Sequence, residues 1–317
     1  MIHRVLLLGV TGMLGHTLLR ELGRAPELDV YGTARRRDAL RAVPEELRDR
    51  VTTGIDATDT DAVRQVLDTV RPDVVVNCVG VIKQHPGVED PVNTIAVNAL
   101  LPHLLARICA GYGSRLIQVS TDCVFSGERG GYTEADLPDP RDLYGRSKLL
   151  GEVTAAPALT LRTSIIGHEL ASNRSLVDWF LSRTGVVRGY TRAIYTGVTT
   201  VEFARLLRSV VLPRPELSGL YHVAAAPISK YELLRLIADA YGWNGQLVPY
   251  DEFHCDRSLR AEAFHAATGY RPPPWPEMIA DLRAAATAPA TGTAAPPAAR
   301  TASSASTTAA TTASPVA

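Results

Sequence analysis

The chain is poor in lysine, in cysteine and in net charge, and each shortage excludes a class of protein. Its 33 basic residues balance 33 acidic ones, so no overall basic field is available to hold nucleic acid. The four cysteines lack the C-x-x-C spacing of zinc sites, and we expect reduced thiols rather than disulfides. His254-Cys255-Asp256 is the densest group of potential metal ligands, but neighbours in an extended segment point to opposite faces, so no metal site is predicted.

Long apolar runs are also missing. No apolar segment approaches the roughly 18 to 20 residues of a membrane span, and the first strand candidate begins at about Arg4 without a cleavable leader. With 46% hydrophobic residues in 317, the chain can bury a substantial core. We therefore expect a soluble cytoplasmic protein that binds neither membranes nor nucleic acid.

The N-terminus has the pattern of a strand, a glycine-rich turn and a helix. The apolar run at residues 5–8 leads into Gly9-Val10-Thr11-Gly12-Met13-Leu14-Gly15 and an amphipathic helix to about Leu22. Glycines let a pyrophosphate approach the backbone, and the start of the helix offers free N–H groups to phosphate. The pattern predicts a dinucleotide site at Gly9, Thr11, Gly12, Met13, Leu14 and Gly15.

Strand and helix patterns alternate along the first half of the chain. Strand candidates are residues 29–33, 50–54, 74–77, 116–120 and 159–162, and helical patterns cover residues 59–70, 93–111 and 144–155. This alternation predicts an α/β fold, a Rossmann-type doubly wound parallel sheet, in which ligands bind at the C-terminal strand ends. Gly9, Asp56, Asn77 and Thr121 fall at those ends.

Three regions are predicted from the change in pattern along the chain. Residues 1–166 form the dinucleotide-binding Rossmann domain, and residues 167–286, where the alternation weakens, form a smaller substrate-binding part. Residues 287–317 are rich in Ala, Thr, Ser and Pro with one charge, Arg300, and we expect a disordered tail.

A proton-transfer pair is predicted at Tyr144 and Lys148. Residues four apart on a helix share a face, so the Lys148 ammonium can favour the ionised form of the Tyr144 phenol. The pairing is uncommon by chance, because the chain has only three lysines, Lys83, Lys148 and Lys230. With the Thr121 hydroxyl at a strand end, the pair indicates chemistry on a carbonyl or an alcohol.

These residues together resemble the extended short-chain dehydrogenase/reductases and, among them, the dTDP-4-dehydrorhamnose reductase branch. The resemblance covers about residues 4–282. Its marks are Gly9, Gly12 and Gly15, Asp56, Asn77-Cys78-Val79-Gly80, Asn98, Ser120-Thr121-Asp122 with Val124-Phe125, Tyr144 with Lys148, and Asp256-Arg257-Ser258-Leu259. Cys123 departs from the pattern, because that branch usually has Tyr there, and the Asn77 to Gly80 segment replaces an Ala-rich version.

The resemblance implies a role for each site residue. Thr121 would hydrogen-bond the substrate carbonyl, Tyr144 would deliver the proton, and Lys148 would hold the nicotinamide ribose and lower the Tyr144 pKa, while hydride comes from the cofactor. Asp56 would meet the adenine, or it simply starts a turn. Asn77 is a further cofactor-binding candidate. The substrate-binding candidates are Thr121, Asp122, Cys123 and Arg257.

The second strand indicates which cofactor is used. Enzymes that select NAD place an acid near the end of this strand, whereas residues 30–34 have none and Arg35 and Arg36 follow. Guanidinium groups recognise the 2′-phosphate through forked hydrogen bonds, so NADPH is favoured and NADH is the alternative.

Three functional classes follow from the resemblance. The leading one is NADPH-dependent reduction of the keto group of a nucleotide-linked 4-keto-6-deoxyhexose, in deoxysugar biosynthesis. The second is a nucleotide-sugar epimerase or dehydratase with retained NAD, which the missing acid and Cys123 disfavour. The third is a non-enzymatic regulatory subunit, disfavoured by intact Thr121, Tyr144 and Lys148. The expected partner is a small nucleotide-sugar, and the sequence is compatible with a homodimer.

Overall fold

A seven-stranded parallel sheet forms the centre of the computed structural model, which describes residues 3–84, 87–170 and 172–287. In chain order the strands are β1 (His3–Leu8), β2 (Leu28–Ala34), β3 (Val51–Thr53), β4 (Val74–Asn77), β5 (Arg115–Ser120), β6 (Leu159–Arg162), β7 (Ile165–Ile166), β8 (Val186–Tyr195), β9 (Val198–Thr199), β10 (Gly219–His222), β11 (Ile228–Ser229) and β12 (Gln246–Asp256). The sheet order is β10-β6-β5-β4-β1-β2-β3, so the direction of strand addition reverses between β1 and β4. In such sheets the ligand crevice lies outside the C-terminal ends of the strands at that reversal. The predicted Rossmann-type fold is confirmed.

Helices cover both faces of this sheet. They are α1 (Met13–Gly23), α2 (Thr60–Val70), α3 (Pro91–Ile95), α4 (Leu101–Tyr112), α5 (Leu143–Leu150), α6 (Leu176–Leu181), α7 (Thr200–Leu206), α8 (Lys230–Tyr241), α9 (Glu262–Thr268) and α10 (Trp275–Thr287). Strand β1 shows why the central strands read as continuous apolar runs. Its Val5 and Leu7 belong to one core cluster, whereas Leu6 and Leu8 belong to a second one, and all four are fully buried.

The C-terminal part contributes a second sheet and one strand of the first. Strands β11, β8 and β12 form a three-stranded sheet, and β7 pairs with β9. Strand β10, in the part expected to bind substrate, pairs in parallel with β6 at the edge of the central sheet. The two predicted parts therefore share a sheet, and a division into domains at residue 166 stays a prediction.

The helix predicted over residues 144–155 is shorter in the structure, where α5 ends at Leu150. Gly151 follows, and a Cβ added there would lie 1.9 Å from the Asn98 carbonyl oxygen. The close approach of Gly151 to the neighbouring helix redirects the chain, which then forms no regular element until β6. Helical periodicity could not reveal this, because the obstacle is more than 50 positions away in sequence.

The helical run predicted at residues 93–111 extends from Pro91 to Tyr112 and contains a π-helical segment, Ala96–Leu100. By length and composition alone it could cross a membrane, so the expectation that no such apolar segment exists is wrong. Half of its most apolar window is buried inside the protein, where Leu105, Ile108 and Cys109 pack in the core. A core helix of a soluble protein passes the same test, so the finding is weak evidence for a membrane span.

The predicted tail, residues 287–317, lies outside the described residues except for Thr287, which ends α10.

Candidate active site

A cavity of about 530 Å³ opens at the C-terminal ends of β1, β4, β5 and β6. Its walls come from the start of α1, the segments after β4 and β5, the helix α5, and the second sheet. The site residues predicted from the sequence that line this cavity are Gly12, Met13, Leu14, Asn77, Thr121, Asp122, Cys123, Tyr144, Lys148 and Arg257. The structure thus brings most of the predicted site to one place, where a cavity of this size suits a small-molecule ligand.

The glycine-rich turn is held by close backbone contacts. Gly9 has a φ of +83°, and its N–H donates to the Thr33 carbonyl oxygen at 3.2 Å. A Cβ on Gly15 would lie 2.2 Å from the Gly9 carbonyl oxygen, so only glycine lets α1 pack this closely on the turn. Neither Gly9 nor Thr11 lines the cavity.

The start of α1 suits the phosphates of a dinucleotide. Gly12 is its N-cap, and no side chain caps the free N–H groups of the first turn. Gly12, Met13 and Leu14 line the cavity directly. The residues present therefore fit a bound pyrophosphate, which would neutralise the positive end of the helix dipole.

Thr121 connects β5 to a short 3-10 helix, Asp122–Val124. Its Oγ1 accepts a hydrogen bond from the Cys123 backbone N–H at 3.1 Å and donates to Asp122 Oδ1 at 3.2 Å. The hydroxyl is thereby fixed at the cavity wall, and the side chain is 7% exposed. By accepting from the Cys123 N–H, the hydroxyl also satisfies a backbone donor just after the strand.

Tyr144 enters the cavity because α5 lies close against the Thr121 segment. Asp142 caps this helix by accepting from the Gly145 N–H at 2.7 Å. A Cβ on Gly145 would lie 2.3 Å from the Cys123 carbonyl oxygen, so glycine permits the approach. Burial raises the pKa of the Tyr144 phenol, the neighbouring Cys123 raises it further, and the Thr121 hydroxyl opposes the rise. The phenol is therefore protonated at neutral pH and able to donate.

Lys148 has a different electrostatic setting from the one expected from the sequence. Its Nζ donates to the Val119 carbonyl oxygen at 2.7 Å, and its side chain is largely buried. Burial lowers the pKa of Lys148 to about 8, and the Glu152 carboxylate opposes this. Burial is thus the largest influence on the pKa of both members of the pair, and the lowering of the Tyr144 pKa by Lys148 stays a prediction.

Two buried asparagines hold the segment after β4, Asn77 on the cavity wall and Asn98 behind it. Asn77 donates to Gln118 Oε1 at 2.8 Å and accepts from the Val79 N–H at 3.1 Å, which fixes the turn after β4. Asn98, in the π-helical segment, exchanges two hydrogen bonds of 2.9 Å with the Val81 backbone. Asn98 also donates to Ser147 Oγ on α5 at 3.3 Å, so it ties this segment to the helix that carries Tyr144.

The predicted adenine-side residues lie away from the cavity. Asp56 is exposed, and its Oδ1 accepts from the backbone N–H and the hydroxyl of Thr58, as expected of a residue that starts a turn. Arg36 is exposed and ion-paired with Asp38 through two hydrogen bonds. Arg35 is also exposed, and it helps to lower the pKa of Asp56 after the Thr58 hydrogen bonds. These residues flank the end of β2 as the sequence predicts, and their contact with a cofactor stays a prediction.

The substrate-side residues meet on the opposite wall. Arg257 donates from Nε to the Phe125 carbonyl oxygen at 2.9 Å, and its Nη1 lies 3.8 Å from Cys123 Sγ. Burial raises the pKa of the Cys123 thiol to about 12, and Asp122 adds to this, so the sulfur is neutral. Sequence reasoning missed further lining residues here, namely Lys83, Tyr195, Lys230, Phe253 and Cys255. The scarcity of lysine was the available signal for two of them.

A buried ion pair stands behind the cavity. Glu152 accepts from Arg162 Nε and Nη2, both at 2.7 Å, and from Ser120 Oγ at 2.6 Å. The two charged side chains are 6% and 5% exposed. Arg162 is on β6 and Ser120 precedes Thr121, so the pair joins two strand ends beneath the catalytic candidates. Within the part of the chain that the structure describes, no group of three potential ligands could hold a metal ion.

Comparisons with known proteins identify relatives of two kinds. Methionine adenosyltransferase 2 subunit beta from Danio rerio is 32% identical over 266 residues, which are 78% of this chain and 77% of that protein. A dTDP-4-dehydrorhamnose reductase from Mycobacterium tuberculosis is 34% identical over 158 residues, 48% of this chain and 43% of the enzyme.

Solved structures share the fold. The dTDP-4-dehydrorhamnose reductase of Bacillus anthracis, crystallised in complex with NADP, superposes with a TM-score of 0.72 over 89% of this chain and 99% of that one. Sequence identity is 22%, so this likeness shows the fold alone. The family described as RmlD substrate binding domain matches residues 3–286, nearly the whole described chain. On these grounds, and with its seven-stranded sheet, the chain is a member of the RmlD substrate binding domain family, within the extended short-chain dehydrogenase/reductases.

Proposed function

We propose that the protein reduces the keto group of a nucleotide-linked 4-keto-6-deoxyhexose with NADPH. One observation carries the proposal: Thr121, Tyr144 and Lys148 line the same cavity as the uncapped start of α1. A hydroxyl, a protonated phenol and an ammonium group beside a phosphate-binding helix end suit carbonyl reduction on a dinucleotide. Family membership supports a nucleotide-sugar reductase or epimerase type of function in general.

Each residue contributes one part of the proposed reaction. Bound NADPH supplies the hydride. The Cys123 N–H holds Thr121 Oγ1 in place, and the Thr121 hydroxyl would turn its proton from Asp122 Oδ1 to the substrate oxygen as that oxygen gains negative charge. Tyr144 donates its proton to that oxygen, and the Lys148 ammonium stabilises the phenolate left behind.

The cofactor preference rests on the end of β2. No acidic residue lies within β2 after Asp29, and exposed Arg35 and Arg36 follow the strand. The 2′-phosphate of NADPH can compete with Asp38 for Arg36, because this exposed ion pair is screened by water and salt. NADH remains the alternative cofactor. The NADP bound to the B. anthracis reductase is consistent with this preference.

The test is a Tyr144→Phe variant assayed with NADPH and a panel of nucleotide 4-ketosugars. The variant keeps the ring and removes the donor, so turnover is expected to fall roughly 100-fold or more while NADPH affinity stays nearly unchanged. Tyr250→Phe, which alters a phenol outside the cavity that donates to Glu252, is the control and should keep full activity. Near-normal turnover of Tyr144→Phe would contradict the mechanism.

A second candidate function is that of a regulatory subunit. The 32% identity to methionine adenosyltransferase 2 subunit beta, over 78% of this chain, favours it. The discriminating experiment mixes the protein with a methionine adenosyltransferase catalytic subunit and measures complex formation and adenosyltransferase kinetics. A stable complex, together with no NADPH oxidation on any ketosugar of the panel, would favour this role over the reductase.

A further inference from the structure

The helix that carries Tyr144 contacts the segment after β4 at two points. At one of them, Asn98 exchanges hydrogen bonds of 2.9 Å with the backbone of that segment and donates to Ser147 Oγ on α5 at 3.3 Å. At the other, Lys83 forms an ion pair with Asp142, with 3.2 Å between Nζ and Oδ2. In sequence Tyr144 lies between Asp142 and Ser147, so the two contacts bracket the proposed proton donor.

Asp142 uses one carboxylate oxygen for each of two partners. Its Oδ1 accepts from the Gly145 N–H at 2.7 Å and caps α5, while its Oδ2 faces Lys83. Burial favours the neutral acid, but the Gly145 hydrogen bond and the Lys83 ammonium hold the pKa of Asp142 below its ordinary value. The group is therefore a carboxylate at neutral pH, which suits the positive end of the helix dipole.

The same negative charge opposes the proposed proton transfer. Tyr144 becomes a phenolate when it gives up its proton, and a nearby carboxylate disfavours that second anion. Burial is the largest cause of the raised pKa of Tyr144, and the charge of Asp142 adds to it. Because Lys83 lies directly against Asp142, its ammonium offsets part of this opposition. Arg257 acts on Asp142 in the same direction, but less strongly than Lys83 does.

The exposure of the Lys83–Asp142 ion pair limits how strongly it can act. The two side chains are 32% and 37% exposed, so water and salt screen their charges. A pair of this exposure adds little to the stability of the fold. Its influence on Tyr144 is screened as well, so we expect its loss to reduce turnover moderately and not to abolish it.

We infer that Lys83 is a positioning residue for Tyr144 and acts through the Asp142 cap at the start of α5. This inference rests on the proposed function, because it concerns the proton that Tyr144 donates. The ion pair holds the first turn of α5 against the segment after β4, and it reduces the repulsion between the Asp142 carboxylate and the phenolate formed in each turnover. In this role Lys83 neither gives up a proton nor contacts the reacting atoms.

The experiment compares Lys83→Gln with the wild type in the reduction of a nucleotide 4-ketosugar by NADPH. Lys83→Arg is the charge-retaining variant, and Asp142→Asn keeps a capping oxygen while it removes the charge that Lys83 offsets. Arg141→Gln is the matched control, because it breaks an exposed ion pair with Glu128 one position before the cap and lies outside the cavity lining. The readouts are kcat, KM, the solvent isotope effect on kcat and the unfolding temperature.

Lys83→Gln should lower kcat roughly three- to fivefold, on the scale of an exposed ion pair, and change KM by less than about twofold. The solvent isotope effect should increase, because proton transfer limits turnover more when the phenol is a weaker acid. Lys83→Arg should regain most of the lost kcat. In the Asp142→Asn background, Lys83→Gln should have little further effect on kcat. The unfolding temperature of Lys83→Gln should stay within about 3 °C of the wild type.

Three results would overturn the inference while the proposed function stands. The first is an unchanged kcat and solvent isotope effect in Lys83→Gln. The second is a rise in KM at constant kcat, which would show that Lys83 binds the substrate instead. The third is an equal loss of kcat in the wild-type and Asp142→Asn backgrounds, which would show that Lys83 does not act through Asp142. Failure of the wild type to reduce any ketosugar of the panel would refute the proposed function, and this inference with it.

Discussion

Removing the charge of Glu152 is the perturbation whose effects can be worked out most fully. Glu152→Gln keeps the shape of the side chain. It replaces one of the two carboxylate oxygens, to which the Arg162 guanidinium donates at 2.7 Å each, with an amide NH2 group that cannot accept. Because both side chains are at most 6% exposed, water cannot replace the lost partner. Breaking one side of a buried pair costs about 3 to 5 kcal/mol, and for a chain of this size we expect Tm to fall by roughly 6 to 20 °C.

The same change should move the pH dependence of turnover. Burial lowers the pKa of Lys148 to about 8, and Glu152 is the group that opposes this. Without the carboxylate, the pKa falls further, and unpaired Arg162 adds to the effect. The mechanism needs the ammonium form, which exists below the pKa, so the loss of kcat as pH rises should begin at a lower pH in the variant.

The assay compares kcat from pH 6 to 9 at saturating NADPH and substrate, together with thermal unfolding. The control is Glu128→Gln, which breaks the exposed Glu128–Arg141 pair and should change stability by less than about 1 kcal/mol. The double variant Glu152→Met/Arg162→Met should recover part of the lost stability, because it leaves no buried charge unpaired. An unchanged alkaline limb in Glu152→Gln would refute the electrostatic role, even if Tm fell as expected.

Two further variants test the cofactor side of the site. Gly15→Ala places a Cβ 2.2 Å from the Gly9 carbonyl oxygen, so the turn must shift. NADPH affinity, measured by fluorescence titration, should therefore fall at least roughly 10-fold. The control is Gly111→Ala, because the added Cβ there has open space around it. Changing Arg35 and Arg36 together to Ala should weaken NADPH binding roughly 10-fold or more and leave NADH binding almost unchanged. A wild type that binds both cofactors equally would contradict the assignment.

Most of the central sheet could be predicted from the sequence, because each strand can be recognised from the pattern of its own residues. Each of its first six strands overlaps a strand predicted from the residue pattern, and β4 and β6 have the predicted bounds. Strand β10 carries no such signal. Its residues Gly219–His222 complete the sheet only by pairing with β6, some 60 positions earlier, and that pairing depends on tertiary contacts.

The candidate site divides in the same way. Tyr144 and Lys148 could be predicted because they lie four positions apart on a helical pattern. Thr121 could be predicted because it directly follows a strand pattern. Lys230 is the first residue of α8, which packs on the second sheet. It is far from Thr121 in sequence, so no motif spacing predicts that the two residues lie on one cavity. Its position on the cavity follows from how α8 packs on β8, which only the folded chain shows. The electrostatics of Lys148 likewise depend on burial that a helical pattern does not reveal.

The free energy of burying the Lys148 ammonium bears on the choice between an enzyme and a regulatory subunit. An ammonium held against the Val119 carbonyl with its pKa lowered to about 8 is destabilising relative to the same group in water. A protein that only bound a partner through its surface would gain nothing from that arrangement beneath a cavity. A reductase gains the stabilisation of the Tyr144 phenolate formed in each turnover. The same reasoning applies to Tyr144, whose burial keeps it protonated until a substrate oxygen takes the proton. The physical chemistry of the pair therefore favours the proposed catalysis.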